Sequence, residues 1–221
     1  MIIKVLVCIL CIVLPVFAME LGFGFAGNIG IGFSKWEIDV RDPQAQLLAD
    51  HLSSSELTFG LGPTFSFWFN KNFGLNMGVQ YSWYDYNYTY DYATTAEAIE
   101  WKWSYNNLIF PVNLKIGLPL GKNRAFIGAG FLIFKQLNGK MSGLFWGDDW
   151  ETENVPDEYL ETNILPRFLI GAEFYTGDVG YQTCINYHYG LDGVDERFEG
   201  SPNTTHHVIV SFGVLYYVGR S

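Results

Sequence analysis

Eight stretches of this chain alternate, residue by residue, between large apolar side chains and small or uncharged polar ones. In the first, Leu21, Phe23, Phe25, Ile29, Ile31 and Phe33 hold one parity, and Gly22, Gly24, Ala26, Asn28, Gly30 and Gly32 hold the other. Successive side chains of a strand point to opposite faces, so each stretch predicts a strand with two unlike surfaces. The second (57–69) opposes Leu57, Phe59, Phe65, Phe67 and Phe69 to Thr58, Gly60 and Thr64. The third (73–83) opposes Leu75, Val79 and Trp83 to Asn76, Gly78 and Ser82. The fourth sets Leu114 and Ile116 against Asn113, Lys115 and Gly117, and the sixth sets Phe168 and Ile170 against Arg167, Gly171 and Glu173. The seventh and eighth repeat the pattern, with Ile185 against Asn186 and Val210 against Ser211. The fifth (125–135) is apolar on both faces, with Phe126, Leu132 and Phe134 beside Gly128 and Gly130, so its parity stays open.

The second face decides what surrounds such a sheet. A strand surface in water is normally rich in Lys, Glu and Asp, whereas this face is mostly Gly, Ser, Thr, Asn and Gln. Those residues suit the interior of an eight-stranded barrel, which is just wide enough for side chains. The apolar parity carries no charge over membrane-length segments. One lipid-facing Lys or Arg at the midplane costs about 2–4 kcal/mol, so that absence carries information. Phe33, Phe69, Phe73, Trp83, Phe174, Tyr189 and Tyr216 fall near strand ends, where interfacial aromatic girdles belong. No apolar run reaches the ~18 residues of a membrane helix. The expectation is an all-β fold: an eight-stranded antiparallel up-and-down transmembrane β-barrel over residues 19–221, in a bacterial outer membrane.

The connections support this. They alternate between long ones (36–56, 85–104, 136–163 and 192–206) and short ones at Asn70-Lys71-Asn72, Gly121-Lys122-Asn123-Arg124 and Gly177-Asp178. Outer-membrane barrels join short periplasmic turns with longer outside loops, which puts both mature termini in the periplasm. Residues 1–18 read as a cleaved signal peptide: Lys4, an apolar stretch from Val5 to Phe17, and small residues in Val16-Phe17-Ala18. Cys8 and Cys11 leave with it, and Cys184 remains with no internal partner.

The segment Asn107-Leu108-Ile109-Phe110-Pro111-Val112-Asn113-Leu114-Lys115 resembles a strand motif of the outer-membrane β-barrel domain family, small porin-like eight-stranded bacterial proteins. Gly128-Ala129-Gly130 resembles the Gly-Ala-Gly element of that family's next strand, and Tyr187-His188-Tyr189-Gly190-Leu191 its penultimate strand's ending. Where many such proteins stop on an aromatic residue, this chain continues through Val218-Gly219-Arg220-Ser221. The resemblance implies a fold and a location, and no single activity. It also implies outer-membrane lipid and the barrel-assembly machinery as partners.

Lys115, Arg167 and Glu173 fall on the inward parity, which suggests a lumenal charge network, with Lys115 and Glu173 paired. A hydrolytic triad of the lipid A deacylase type would need a serine activated by histidine. His188-Tyr189-Gly190 lacks the serine, and His206 and His207 stand four or more residues from Ser211, so no enzyme is expected. No cofactor motif is found.

The long connections hold 20 of the 23 acidic residues against four basic ones, Arg41, Lys102, Lys140 and Arg197, a formal charge of −16. Such a surface repels nucleic acid. Within it Asp148, Asp149, Glu151 and Glu153 form a candidate cation-binding loop, although the spacing is not that of an EF-hand. Tyr84, Tyr86, Tyr88, Tyr90 and Tyr92, with Trp101 and Trp103, form a candidate aromatic contact surface on a hairpin above the bilayer. The functional expectation is a non-enzymatic barrel displaying acidic, aromatic loops in a structural or adhesive role toward an extracellular ligand. The alternatives are a small porin-like channel and a lipid-modifying enzyme.

Overall fold

The computed structural model describes residues 20–35, 52–91, 98–145, 148–149, 153–156, 160, 162–192 and 203–219. The expected signal segment, 1–18, lies outside them. The strands are β1 (Glu20–Lys35), β2 (Leu52–Trp68), β3 (Phe73–Gly78), β4 (Gln80–Asp91), β5 (Ala98–Leu120), β6 (Asn123–Phe145), β7 (Asp148–Asp149), β8 (Glu153–Asn154), β9 (Thr162–Thr176), β10 (Val179–Asp192) and β11 (Asn203–Val218).

Every ladder is antiparallel. The path runs from β2 through β3 and β4 to β5, β6, β9, β10, β11 and β1, and β1 pairs back onto β2. β3 and β4 form one wall strand, because the register between β2 and its neighbour is unchanged across Val79. The interruption has a local cause. Pro63 on one flank and Pro111 on the other have no N–H to donate, so ladder bonds are missing beside Gly78 and Val79. Val79 N still donates to Pro63 O at 3.0 Å. With β3 and β4 counted together, the sheet is a closed barrel of eight strands. β7 and β8 are short additions that pair with the upper end of β6.

The alternation becomes an inside and an outside. Phe25, Ile29, Leu61, Leu114, Ile170, Ile185 and Phe212 are all more than half exposed on the outer face. Asn28, Thr58, Ser66, Ser82, Asn113 and Asn186 are buried within. The open parity of the fifth stretch is resolved: Phe126, Leu132 and Phe134 are interior, whereas Ile127 and Phe131 face out. Phe67 and Leu75 depart from the rule. They share the outward parity and pair in register, yet both are buried.

The strands are longer than the alternation suggested. β5 and β6 each have 23 residues, about 75 Å of chain at ~3.3 Å per residue. A membrane-crossing strand needs only ~9–11. Four expected connections therefore shrink: strand covers 52–56, 85–91, 98–104, 136–145, 148–149, 153–154, 162–163, 192 and 203–206 of them. The reason is that pairing continues after the apolar face has ended, since backbone hydrogen bonds need only two adjacent extended chains. One bulge accompanies the extension, at Asn106/Asn107 opposite Leu137.

At the other end the turns are tight. Gly121 and Gly177 adopt φ of 64° and 61°, a left-handed backbone that a Cβ disfavours. Nothing stands within 4 Å of a Cβ at either site, so strain alone should set the cost. Replacing Gly177 by Val is expected to lower unfolding free energy by about 1–2 kcal/mol, read from urea titration in lipid vesicles.

Candidate functional site

The interior is layered along the barrel. Nearest the short turns lies a plug centred on Glu173, which β9 turns inward just before the Gly177 turn. Its Oε1 accepts from Lys115 Nζ at 2.7 Å and from Gln182 Nε2 at 3.0 Å. Its Oε2 accepts from Trp68 Nε1 at 3.0 Å and from the Tyr175 hydroxyl. Lys115 also donates to Ser66 Oγ at 2.8 Å, and its ammonium stands 4.4 Å above the Trp68 ring. Arg124 covers the same ring at 3.9 Å, pairs with Glu20 at 3.2 Å and lies 3.8 Å from Glu173. Phe126, Leu169, Leu215 and Tyr217 complete an apolar packing around these charges. Tyr217 fits because Gly22 and Gly180 flank it: a Cβ at either would meet its ring at 2.6 Å.

Above the plug the wall is polar. Asn28 donates to Gln80 at 2.8 Å, and Thr58, Ser82, Asn107 and Asn113 point further polar atoms into the interior without a protein partner. Buried polar groups of this kind hold water where there is room for it. Next comes one register row running Arg167, His188, His207, Gly32 and Glu56 across β9, β10, β11, β1 and β2. Glu56 Oε1 lies 3.3 Å from His207 Nδ1. Gly32 makes this reach possible, because a Cβ there would stand 2.4 Å from Glu56 Oε2. The His188 and His207 rings stack at 6.4 Å. Tyr84, Tyr105, Ile109, Leu132, Phe134 and Leu165 form a second apolar cluster, onto which Val155 folds from the segment after β8.

Lys115 and Glu173 are thus in contact, whereas Arg167 is not part of that network. It donates to Asn186 Oδ1 at 2.5 Å, in the row farther from the turns. Tyr84 is misplaced by the sequence reading. It is buried inside the barrel, edge-on to Phe134 at 5.3 Å, and belongs to no outer surface. Its parity, shared with Gln80 and Ser82, carries it inward. Glu56, counted with the outside acids, is interior for the same reason, two residues before Thr58. The backbones of Tyr86 and Tyr88 pair with Trp103 and Trp101, as a hairpin requires, but their side chains and that of Tyr90 lie outside the described residues, as does all of Tyr92. The same holds for the side chains of Asp148, Asp149 and Glu153, and for Glu151 entirely. Among the described residues no three His, Cys, Asp or Glu side chains are grouped to hold a metal ion. Ser211 Oγ accepts from Asn186 Nδ2 at 2.6 Å, while His206 meets the Tyr187 hydroxyl at 2.6 Å outside the barrel.

The sequence reading left out Glu20, Arg124, Gln182, Tyr175 and Tyr217 from the plug. Arg124 fell in the short connection 121–124 of the sequence reading, whereas the strand begins at Asn123. The other four all sit on the small-residue parity of their strands, which was signal enough.

No family model matches the chain, and no curated protein matches it. Solved structures do. The outer membrane protein OprG from Pseudomonas aeruginosa is 10% identical over 90% of this chain and 94% of its own, with a TM-score of 0.45. The solid-state NMR structure of outer membrane protein AlkL in lipid bilayers is 11% identical over 90% of each chain, with a TM-score of 0.43. Neisserial surface protein A is 14% identical over 88% of this chain and 97% of its own, with a TM-score of 0.36. The barrel described above rests on its own closed ladder, independently of these likenesses.

Proposed function

We propose that this chain is a non-enzymatic integral protein of a bacterial outer membrane, whose barrel is closed to solutes and whose work is done by what it displays outside. The outer face supports the membrane half of this reading. Its exposed apolar residues run from Phe23 to Phe33 on β1 and from Ile164 to Phe174 on β9. Each is a span of eleven positions, against the ~9–11 residues of a membrane strand. Aromatic pairs edge the belt. Phe59 and Trp83 stack at 5.7 Å toward the long-loop end, and Phe23 and Tyr216 meet at 5.7 Å toward the turns. An apolar surface of this extent in water would drive association.

The plug is the observation that carries the closed lumen. Trp68, Lys115, Glu173, Leu215 and Tyr217 are each 0–1% exposed, which supports a lumen closed at this level. The barrel wall that continues beyond the belt then presents the acidic, aromatic connections to the exterior in a structural or adhesive role. Planar-bilayer recording of the purified protein should show no stable single-channel steps. Discrete, reproducible conductance would defeat the closed reading and leave the membrane one intact. Protease added to intact cells should cut near Glu97 or Asp148 and spare the turn at Asn72, which fixes the long loops outside.

A further inference from the structure

We infer that the lumen binds a small monovalent anion, of halide size, between the Arg167 guanidinium and His188. Arg167 points inward from β9 and is 8% exposed. Leu165 and Leu169, the inward residues on either side of it, are buried and apolar. Its hydrogen bond to Asn186 fixes the guanidinium, because Asn186 is itself held by Ser211 Oγ and Ile209 O. The Nε edge is left with no acceptor.

Among the described residues, the titratable groups that face Arg167 are Cys184, Tyr84 and His188. All three side-chain types are ordinarily neutral at pH 7, and none is a carboxylate. None of the interior carboxylates among the described residues pairs with Arg167. Glu173 and Glu20 neutralise Lys115 and Arg124 in the plug. Glu56 stands in the same register row with its Oε1 3.3 Å from His207 Nδ1, and it is not among the charges that act on Arg167. A buried cation without a counter-charge is strongly unfavourable. His188, 2% exposed and with no partner on either ring nitrogen, adds an N–H donor beside the guanidinium. Donors therefore gather where an acceptor is missing. The leucine flanks favour an ion that sheds its water readily, which selects a monovalent halide over sulfate or phosphate.

The site stands independently of the closed-lumen reading, since an occupied site in a conducting barrel would bind just as well. The test uses the full-length protein purified in detergent, with bromide as the probe. In crystals grown with bromide, an anomalous peak is expected within about 3.5 Å of Arg167 Nε, at hydrogen-bonding range. In solution the thermal midpoint should rise as bromide replaces gluconate at fixed ionic strength, and Arg167→Gln should abolish that rise. If Arg167→Gln does not fold, Arg167→Lys and His188→Gln should each weaken the bromide dependence. The inference is overturned if the wild-type midpoint ignores bromide, or if the variants respond as the wild type does. A carboxylate from one of the long connections found against Nε would overturn it equally.

Discussion

Replacing Glu173 by glutamine is expected to remove about 3–5 kcal/mol from the stability of the folded barrel, the usual cost of breaking a buried ion pair from one side. Glutamine keeps the size and the acceptor oxygen, so Trp68 and Tyr175 retain partners. The charge is what disappears. Lys115, fully enclosed with its ammonium 2.7 Å from Glu173, is left as an uncompensated cation, and Arg124 keeps Glu20 at 3.2 Å but loses its second counter-charge at 3.8 Å. Adding Lys115→Met should restore much of the loss, because methionine fills the stem's volume without a charge beneath the Trp68 ring. Urea unfolding in lipid vesicles is measured for the wild type, each single variant and the double variant. If the double variant loses as much as the two single losses combined, the pair is not coupled and the plug is not held by this charge pairing.

What the sequence made legible follows from what the residues had to satisfy. The two faces of each strand were readable because lipid-like and lumen-like surroundings select different side chains at every second position. Ile185 and Asn186 could not exchange places, and the structure puts them outside and inside as the alternation implies. Strand length was not readable in the same way. Past Trp83 the apolar parity ends, yet β4 continues to Asp91 because β2 and β5 still flank it. Drawing the boundary where hydrophobicity stopped turned Tyr84 and Glu56 into loop residues, although parity alone pointed both of them inward. The fifth stretch failed for a different reason. Phe126 fills the plug and Leu132 and Phe134 fill the second apolar cluster, so both faces of that strand are apolar and alternation loses its contrast. The partner choice of Arg167 was beyond sequence altogether. It depends on the stagger between strands, which sets Arg167 beside His188 and places Glu173 beside Gln182.

Arginine at Ile185 separates a barrel in lipid from the same barrel in water. Ile185 is 52% exposed at the middle of the outer face, with Ile170 and Val210 as its register partners on the two sides. In hydrocarbon, arginine at this depth should cost about 2–4 kcal/mol. In water, an exposed isoleucine is already unfavourably placed, and a surface substitution there changes stability by no more than about 0.5 kcal/mol. The comparison is made within one protein by placing arginine at Leu120, beside the turn end of β5, where the depth-dependent cost falls to about 0–1 kcal/mol. Unfolding free energies in vesicles should therefore order wild type, Leu120→Arg and Ile185→Arg from most to least stable, with the large gap at the last step. Equal small effects at both positions would mean that the greasy exterior never meets hydrocarbon, and the membrane location would have to be abandoned.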